Sequence, residues 1–451
     1  MIRREIRQTL HLAAPMILAQ LAHMSMTFVD TIMVGWLGTR QLAGVALGGA
    51  VFFPVLLITL GVLMAVGPMV AQGYGGGDRD AIRDAVRQGL WLATLLGVVA
   101  FLALWQGSWM LRWAGQEEET VVLTEGYLRA ITWGVVPELW FVVLRQFVEG
   151  LSRPRVVLII TTAGLLLNVG ANYILMYGKL GFPALGLVGC GWASALVYWT
   201  MFLVMVLFIL KSDGLRPYRV LSRLGGPDWH RFSEVFRMGW PIGLMQGFEV
   251  GLFSATALLM GLLGKTALAA HQIALQCASF SYMVPLGLAF AVSVRVGQAV
   301  GRKDLQGARR AGHVGMGLGA SFMVVAALCF WIFPRYILSL FLGTDASAND
   351  EVVFHAVGFL AIAAIFQVFD GLQATAAGAL RGLKDTRTPM IVALISYWIV
   401  GLSSGYLLAF QFGWQGTGLW WGLVLGLSTA ALLLSWRFNR QVRARLPYDH
   451  R

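Results

Sequence analysis

Two stretches decide the fold class of this chain: Leu12–Gly38, LAAPMILAQLAHMSMTFVDTIMVGWLG, and its partial copy Met238–Gly264, MGWPIGLMQGFEVGLFSATALLMGLLG. Each stretch is predominantly apolar and contains one carboxylic acid and no lysine or arginine. About 20 consecutive apolar residues in a helix are enough to cross the hydrocarbon core of a bilayer. We therefore predict that both stretches are transmembrane helices.

The rest of the 451-residue chain has the same apolar character, since 58% of its residues are hydrophobic and 12% are charged. A soluble domain carries about 25% charged residues. Lipid cannot satisfy open backbone groups, and the apolar runs are too long and continuous for a β-barrel, so helices are required. The predicted fold is an all-α integral membrane protein with twelve transmembrane helices, near 10–36, 45–72, 88–112, 123–150, 156–178, 186–211, 236–262, 271–299, 312–340, 351–381, 388–410 and 416–438.

The positions of lysine and arginine predict the orientation of these helices. With both termini in the cytoplasm, 26 of the 34 basic residues fall in cytoplasmic segments and five fall in external loops. The net charge of +12 then lies at the cytoplasmic face, where anionic lipid is the natural counterion. Nucleic acid is not needed to explain the charge. We expect a multi-pass protein of the cell inner membrane.

The chain matches itself, without gaps, when it is shifted so that Pro15 falls on Pro241. Other pairs of identical residues in this alignment include Gln20 and Gln246, Gly38 and Gly264, and Asp78 and Asp304. We predict two pseudo-symmetric six-helix lobes at 1–211 and 236–440, a cytoplasmic linker at 212–235 and a cytoplasmic tail at 441–451. Repeats of this kind place a substrate path at their interface, although a structural protein or a channel is the alternative.

Three acids lie at membrane depth: Asp30 in the first span, Glu249 in the seventh and Asp370 in the tenth. An ionised side chain at this depth costs roughly 2.5–3.5 kcal/mol, so such residues usually face a cavity and have a function. None of the three has a basic residue within a helical turn. A buried carboxyl of this kind holds a proton or binds a cation, and both states serve an antiporter. The alternative is a carboxyl satisfied by hydroxyls or backbone groups, with no role in transport.

Neutral amides accompany these acids. Gln246 lies one turn before Glu249 on the same helical face, and Asn168 and Asn172 share a face of the fifth span. Amide oxygens are ligands for hard cations. We predict a cation site formed by the two asparagines and Asp30, and the alternative is hydrogen bonding between helices.

Other charged residues in the spans have simpler interpretations. Arg145 and Glu149 are four residues apart, which predicts a local ion pair. Glu138 follows Pro137 and is interpreted as a cavity residue, and His271 is expected to have a structural role.

Motifs of catalysis are missing from the sequence. It contains neither a Walker A motif nor HExxH, so nucleotide hydrolysis and zinc-dependent hydrolysis are not expected. Gly401–Gly405 has the spacing of a nucleophile elbow but lies within a predicted helix. We expect a protein that is not an enzyme and that needs no cofactor.

Several segments resemble the multidrug and toxic compound extrusion (MATE) family, NorM-like branch, and together they extend over essentially the whole chain. They are Ala14–Gly35, Val66–Gln72, Leu167–Lys179, Val188–Gly191 and Ala379–Thr386. The resemblance implies a two-lobe exporter of cationic, amphiphilic compounds that is driven by Na⁺ or H⁺.

The resemblance also implies which residues couple ion and substrate. The first-lobe acid of the family falls on Asp30, with Asn168 and Asn172, and the second-lobe acids fall on Glu249 and Asp370. Substrate contacts are expected from a set that overlaps with it, namely Asp30, Gln246, Glu249, Phe366 and Asp370. If Na⁺ binds, it is expected at Asp30 with the two asparagines, or at Glu249 with Asp370.

Two positions depart from the family pattern. Related sequences carry tyrosine where this chain has Phe366, which favours H⁺ or a first-lobe site over Na⁺ bound in the second lobe. Ser403 stands where proline is common, so bending of the eleventh span is an open question.

The expected partners are small organic cations and membrane lipid, and the expected assembly is a monomer. One alternative is a flippase for lipid-linked precursors, which would require a basic central cavity for pyrophosphate. A channel or an intramembrane enzyme is a further alternative.

Overall fold

The computed structural model describes residues 2–222, 225–342 and 350–445. In these ranges, eleven helices are long and apolar enough to cross a membrane, and a pair of helices bent by 44° forms a twelfth span. The spans are α1 Ile2–Gly35, α2 Thr39–Gly76, α3 Arg79–Trp105, α4 Glu118–Thr132 with Val135–Gly150, α5 Pro154–Tyr177, α6 Leu187–Lys211, α7 Trp229–Leu263, α8 Lys265–Gly301, α9 Leu305–Ile332, α10 Asp350–Gly382, α11 Arg387–Gln411 and α12 Gln415–Arg445. The predicted all-α membrane fold is confirmed.

Two spans are interrupted close to a proline. The helix of α2 is broken between Leu63 and Val66, and that of α4 is broken between Thr132 and Val135. Proline has no N–H, so it cannot bond to the carbonyl four residues earlier. Pro68 and Pro137 therefore cannot donate to the carbonyl groups at these breaks, and in α4 the 44° bend lies at the break.

The eleventh span departs from the α-helical pattern in two segments, Ile395–Leu402 and Leu407–Gln411, which are π-helical. Ser403 follows the first segment, and its hydroxyl donates to the Trp398 carbonyl at 3.3 Å. π-helical turns are frequent at functional sites because they re-orient the side chains of a helix. The eleventh span thus changes its helical type near Ser403, and its bending stays an open question.

Glycines bring α11 and α12 into backbone contact. A Cβ atom on Gly422 would lie 2.6 Å from the Gly401 carbonyl oxygen, and one on Gly426 would lie 3.0 Å from the Gly401 Cα atom. Helices of membrane proteins approach this closely where small residues follow one another at four-residue spacing. No side chain larger than hydrogen fits at Gly422 unless the two helices separate.

The chain forms two compact units. One, called the N-unit, is Leu18–Gly243, and the other, called the C-unit, is Met1–Ile17 with Leu244–Arg451. Each unit has a buried apolar core of its own, which includes Phe52, Phe141 and Phe147 in the N-unit and Phe359, Tyr397 and Trp420 in the C-unit. The division of the contacts falls inside α1 and α7, and the lobe boundaries at 1–211 and 236–440 stay a prediction.

The internal repeat is visible in the backbone. Gly38 and Gly264, which the repeat aligns, have φ values of 122° and 127°, a region that favours glycine. Asp78 and Asp304 are aligned by the same shift, and each caps the helix that follows it through its carboxylate. The two units therefore begin with the same sequence of structural elements.

Further along the chain, the shift that aligns the two repeats becomes slightly larger. The ends of α4 and α10 show this. These helices end at Gly150 and Gly382. Two residues later, Ser152 and Lys384 both have a φ of 60°, which is unusual for residues other than glycine. The shared helix ends therefore set which residues of α4 and α10 are equivalent.

Candidate functional site

Asp30 on α1 lies at the centre of a polar cluster within the N-unit. Its Oδ1 accepts hydrogen bonds from the amide nitrogens of Asn168 at 3.0 Å and Asn172 at 2.6 Å, which both lie on α5. Its Oδ2 accepts a hydrogen bond from the Ser194 hydroxyl of α6 at 3.1 Å. The three residues expected to form one site lie together, and their role in coupling stays a prediction.

The partners of Asp30 are neutral. Asn168 and Asn172 are 1% and 0% exposed, whereas Asp30 itself is half-buried. The Cys190 thiol is also within hydrogen-bonding reach of the carboxylate. Asn172 Oδ1 has no hydrogen-bond partner in the part of the chain that the structure describes. Dipoles stabilise the carboxylate here without cancelling its charge, so a proton or a bound cation must do so.

Glu249 on α7 and Asp370 on α10 interact electrostatically within the C-unit, and we call them the acid pair. Asp370 is 5% exposed, and its Oδ1 has no hydrogen-bond partner among the described residues. Tyr282 of α8 and Tyr397 of α11 interact with both acids. Two carboxyls that repel each other in a buried place cannot both ionise without a cation nearby.

Arg381, near the end of α10, is a basic residue that interacts with one of the acids. The count of basic residues assigned it to a cytoplasmic segment, which stays a prediction, and it is half-buried and interacts attractively with Glu249. Its guanidinium lies 5.6 Å from the centroid of the Phe290 ring. The search for basic partners within one helical turn of each acid missed it because Glu249 and Arg381 lie on different helices.

The other two predicted substrate residues lie in the C-unit with different exposure. Gln246 is half-buried, one turn before Glu249 on α7. Phe366 is 1% exposed, and its ring packs edge-on against Phe253 at 6.1 Å and Trp420 at 5.8 Å. Phe366 is a core residue in this structure, and its contact with substrate stays a prediction.

The ion pair expected between Arg145 and Glu149 is present, with 2.8 Å between Nε and Oε1. A terminal nitrogen of Arg145 also donates to Gln20 Oε1 at 2.7 Å, which connects α4 to α1 within the N-unit. Glu149 is 1% exposed, so its charge is balanced by the neighbouring guanidinium and not by water.

Sequence reasoning did not find Ser194, Cys190, Tyr282 or Tyr397. Hydroxyl and thiol side chains cost little in a membrane helix compared with ionised groups, so the cost argument that identified the acids does not single them out. The spacing along a helix also does not reveal partners on other helices. Packing of α5, α6, α8 and α11 against the acids is what brings these residues into the clusters.

Comparison with known families agrees with this architecture. Residues 15–174 and 241–407, which fall on the two repeats, match the MatE family model. The chain belongs to the MatE family. The two matched ranges begin at Pro15 and Pro241, the first identical pair of the internal repeat.

Curated relatives of this MatE protein are similar over nearly their whole length. The probable multidrug resistance protein NorM of Mesorhizobium japonicum is 45% identical over 448 residues, which cover 99% of this chain and 96% of the relative. A protein of the same name from Pseudomonas aeruginosa is 42% identical over 443 residues, which cover 98% of this chain and 91% of the relative.

Solved structures share the fold at lower identity. A eukaryotic MATE transporter superposes with a TM-score of 0.89 at 21% identity, covering 98% of both chains. An outward-facing multidrug resistance MATE transporter of the MOP superfamily gives 0.88 at 19% identity, covering 98% of this chain and 97% of the other. The MatE protein therefore has the same fold as these transporter structures.

Proposed function

We propose that this MatE protein is a secondary active multidrug efflux transporter that exports cationic, amphiphilic compounds in exchange for Na⁺ or H⁺. The proposal rests on one observation above all: Asp30 is held at membrane depth by Asn168, Asn172 and Ser194, none of which carries charge. A carboxylate in such a place needs a positive partner, and an antiporter provides two that alternate. The names of the curated relatives support the same activity.

The N-unit cluster suits either coupling ion. A proton on Asp30 would neutralise it directly. For Na⁺, the oxygens of the amides must face the ion, whereas the amide nitrogens of Asn168 and Asn172 face the carboxylate here. Rotation of the Asn172 amide by about 180° would present its Oδ1, which has no hydrogen-bond partner among the described residues, and such rotations exchange atoms of nearly the same shape.

In the C-unit, Glu249, Gln246 and Asp370 would receive the substrate cation or a second coupling ion. A flippase for lipid-linked pyrophosphate would need an excess of positive charge, but the two clusters contain Asp30, Glu249 and Asp370 against the single charge of Arg381. The transporter is expected in the cell inner membrane as a monomer with both termini in the cytoplasm, without a cofactor and without enzymatic activity.

Dye efflux from proteoliposomes tests the proposal, with a Na⁺ gradient and a pH gradient imposed separately. We expect efflux with at least one gradient, and a loss of at least about tenfold in each of Asp30→Asn, Glu249→Gln and Asp370→Asn, because a single neutralised site removes about 1.4 kcal/mol or more of ion binding. Thr161→Val is the matched control, since this buried α5 hydroxyl donates only to its own helix, to Val157 at 2.8 Å.

Full efflux in all three acid variants would contradict the proposal. So would transport that needs neither gradient, which would indicate a channel. Retention of each variant in the membrane fraction, measured by quantitative blotting, separates a loss of coupling from a loss of protein.

A further inference from the structure

A polar stripe runs along α1 within the N-unit. Gln20, His23, Thr27 and Asp30 are spaced three or four residues apart and therefore share one helical face. Gln20 contacts Arg145 of α4, and Asp30 contacts the α5 and α6 residues described above. Between these two contacts lies a third, made by His23, which the proposed function does not use.

His23 pairs with Glu138, and the distance between His23 Nε2 and Glu138 Oε1 is 3.3 Å. The glutamate side chain is 2% exposed and the histidine side chain is 30% exposed. Glu138 Oε2 has no hydrogen-bond partner among the residues that the structure describes. A second buried carboxyl therefore lies in the N-unit, with an imidazole as its partner and the imidazole open on one side.

The internal repeat relates this pair to the acid pair of the C-unit. His23 lies as far before Gly38 as Glu249 lies before Gly264, and these two glycines are equivalent in sequence and in backbone conformation. Glu138 lies as far before the end of α4 at Gly150 as Asp370 lies before the end of α10 at Gly382. The two residues thus occupy the positions in the N-unit that the acid pair occupies in the C-unit.

We propose that His23 and Glu138 form a second cation-exchange site of the N-unit, which gives up one proton when an organic cation binds. This proposal rests on the proposed function and adds to it a coupling group besides Asp30. With one shared proton the pair is neutral overall, which makes it tolerable at membrane depth. Histidine is the side chain whose charge changes most readily near neutral pH, so it is suited to exchange that proton.

The exchange balances in charge. With the exchangeable proton bound, the imidazolium of His23 and the carboxylate of Glu138 are counterions. When the organic cation binds, the proton leaves His23 for water, and the positive charge of the cation replaces that of the imidazolium opposite Glu138. Protonation of His23 from the other side of the membrane then releases the cation. One H⁺ is exchanged for one cation, and no bond of the substrate changes.

Few other groups compete for this proton. Tyr198 of α6 interacts electrostatically with both Glu138 and Asp30. Asp30 is two turns from His23 on α1, about 10 Å along the axis. On α4, the Arg145–Glu149 ion pair lies two turns and more beyond Glu138 and is balanced internally.

The neighbouring helices add no further charge near the pair. The charged residues of α2, α3 and α5 lie at the starts of these helices: none of the three contains an acid, a lysine, an arginine or a histidine after Arg40, Arg87 and Arg155 respectively, and α6 contains none before Lys211. His23, Glu138 and Asp30 are therefore the groups of this region whose charge must change if a cation binds here.

The pH dependence of binding tests the proposal on the purified full-length protein in detergent without Na⁺. Tetraphenylphosphonium is the probe, and its Kd is measured by titration calorimetry from about pH 5 to about pH 9, the range in which histidine and buried carboxyls titrate. The slope of log Kd against pH counts the protons displaced per bound cation. We expect Glu138→Gln and His23→Gln each to lower the steepest slope by about one. In each variant, the Kd should then change about tenfold less per pH unit than in the wild type.

Thr94→Val is the matched control, because the Thr94 hydroxyl accepts a hydrogen bond from Trp140 of α4 at 3.0 Å and carries no titratable group. It should keep the slope of the wild type. His23→Gln keeps Glu138 in place, so a slope that falls in both variants cannot be explained by misfolding of the Glu138 variant alone. Size-exclusion chromatography verifies the fold of each variant.

The outcomes separate this proposal from the proposed function. A slope that falls in Asp30→Asn but is unchanged in both pair variants would overturn the second site and leave the exporter intact. A pH-independent Kd in the wild type would also overturn it. A failure of the wild type to bind the probe or to move any dye would contradict the proposed function itself.

Discussion

In the N-unit, Asp30 accepts hydrogen bonds from Asn168, Asn172 and Ser194. In the C-unit, Asp370 has an oxygen without a hydrogen-bond partner among the described residues and interacts electrostatically with a second acid, Glu249. In the first arrangement, amide and hydroxyl dipoles point towards one carboxylate and offset part of the cost of burying its charge. The second destabilises two, because like charges repel in a place that water does not screen. The hydrogen bonds of the N-unit site therefore favour an ionised carboxylate more than the acid pair of the C-unit does.

The repeat shows how this difference arises in the sequence. The position equivalent to Asp30 in the C-unit is Thr256, which is 2% exposed and donates its hydroxyl to the Leu252 carbonyl of its own helix at 2.9 Å. The position equivalent to Glu249 in the N-unit is His23. The acid of the first helix in each unit has therefore moved by two helical turns, while the acid of the fourth helix is retained, as Glu138 and Asp370.

The largest expected effect is that neutralising the two acids shifts the thermal midpoint of the protein in opposite directions. Asp30→Asn should lower the thermal midpoint by about 2–4 °C, because an amide nitrogen cannot accept the hydrogen bond that a carboxylate oxygen accepts, and a lost hydrogen bond costs about 1 kcal/mol. Asp370→Asn should raise it by about 2 °C, because it removes repulsion with Glu249. Fluorescence-detected size-exclusion chromatography of heated membranes extracted in detergent measures both.

Both variants are neutral isosteres of similar size, so each serves as the control for the other. If both midpoints move in the same direction, the two acids do not differ in the way that their hydrogen bonds indicate. An added organic cation should then sharpen the result, since it should raise the midpoint of the wild type more than that of Asp370→Asn.

The difference between the units also explains what the sequence could and could not predict. Helix number, the repeat and the three acids follow from apolar length and from the cost of charge in lipid, which are properties of single segments. Ser194 and Arg381 belong to the clusters through contacts between helices, and no spacing within a segment reports those contacts. His23 is an intermediate case, because its equivalence to Glu249 can be obtained from the repeat but its contact with Glu138 cannot.

A smaller effect concerns α5 and α11, the fifth helices of the two units. The first is a regular α-helix from Pro154 to Tyr177, whereas the second contains two π-helical segments and is in backbone contact with α12 at Gly422. Gly422→Ala should lower the thermal midpoint by about 3–5 °C, because overpacking against a backbone costs roughly 1–3 kcal/mol.

Gly170→Ala on α5 is the matched control, since nothing lies within 4 Å of a Cβ atom at that position. Its midpoint should stay the same or rise slightly, because alanine is the better helix former by about 1 kcal/mol. An unchanged midpoint in Gly422→Ala would mean that α11 and α12 separate at no cost, and that α11 is no more constrained than α5.

The smallest effect distinguishes the individual donors of the N-unit site. Ser194→Ala removes the hydrogen bond from the serine hydroxyl to Asp30 Oδ2 and leaves the two amides on Oδ1, so the carboxylate loses about 1 kcal/mol of stabilisation. The ionised form becomes harder to maintain, and the site should hold its proton or cation more tightly and release it less readily. In counterflow of a radiolabelled cation, the concentration of coupling ion that gives half-maximal transport should fall by about fivefold. Ser281→Ala is the control in the C-unit, because that hydroxyl donates to Gln367 and not to an acid. If Ser194→Ala instead raises the half-maximal concentration, the serine oxygen is a ligand of the coupling ion, and the N-unit site binds Na⁺ through the hydroxyl that donates to Asp30 here.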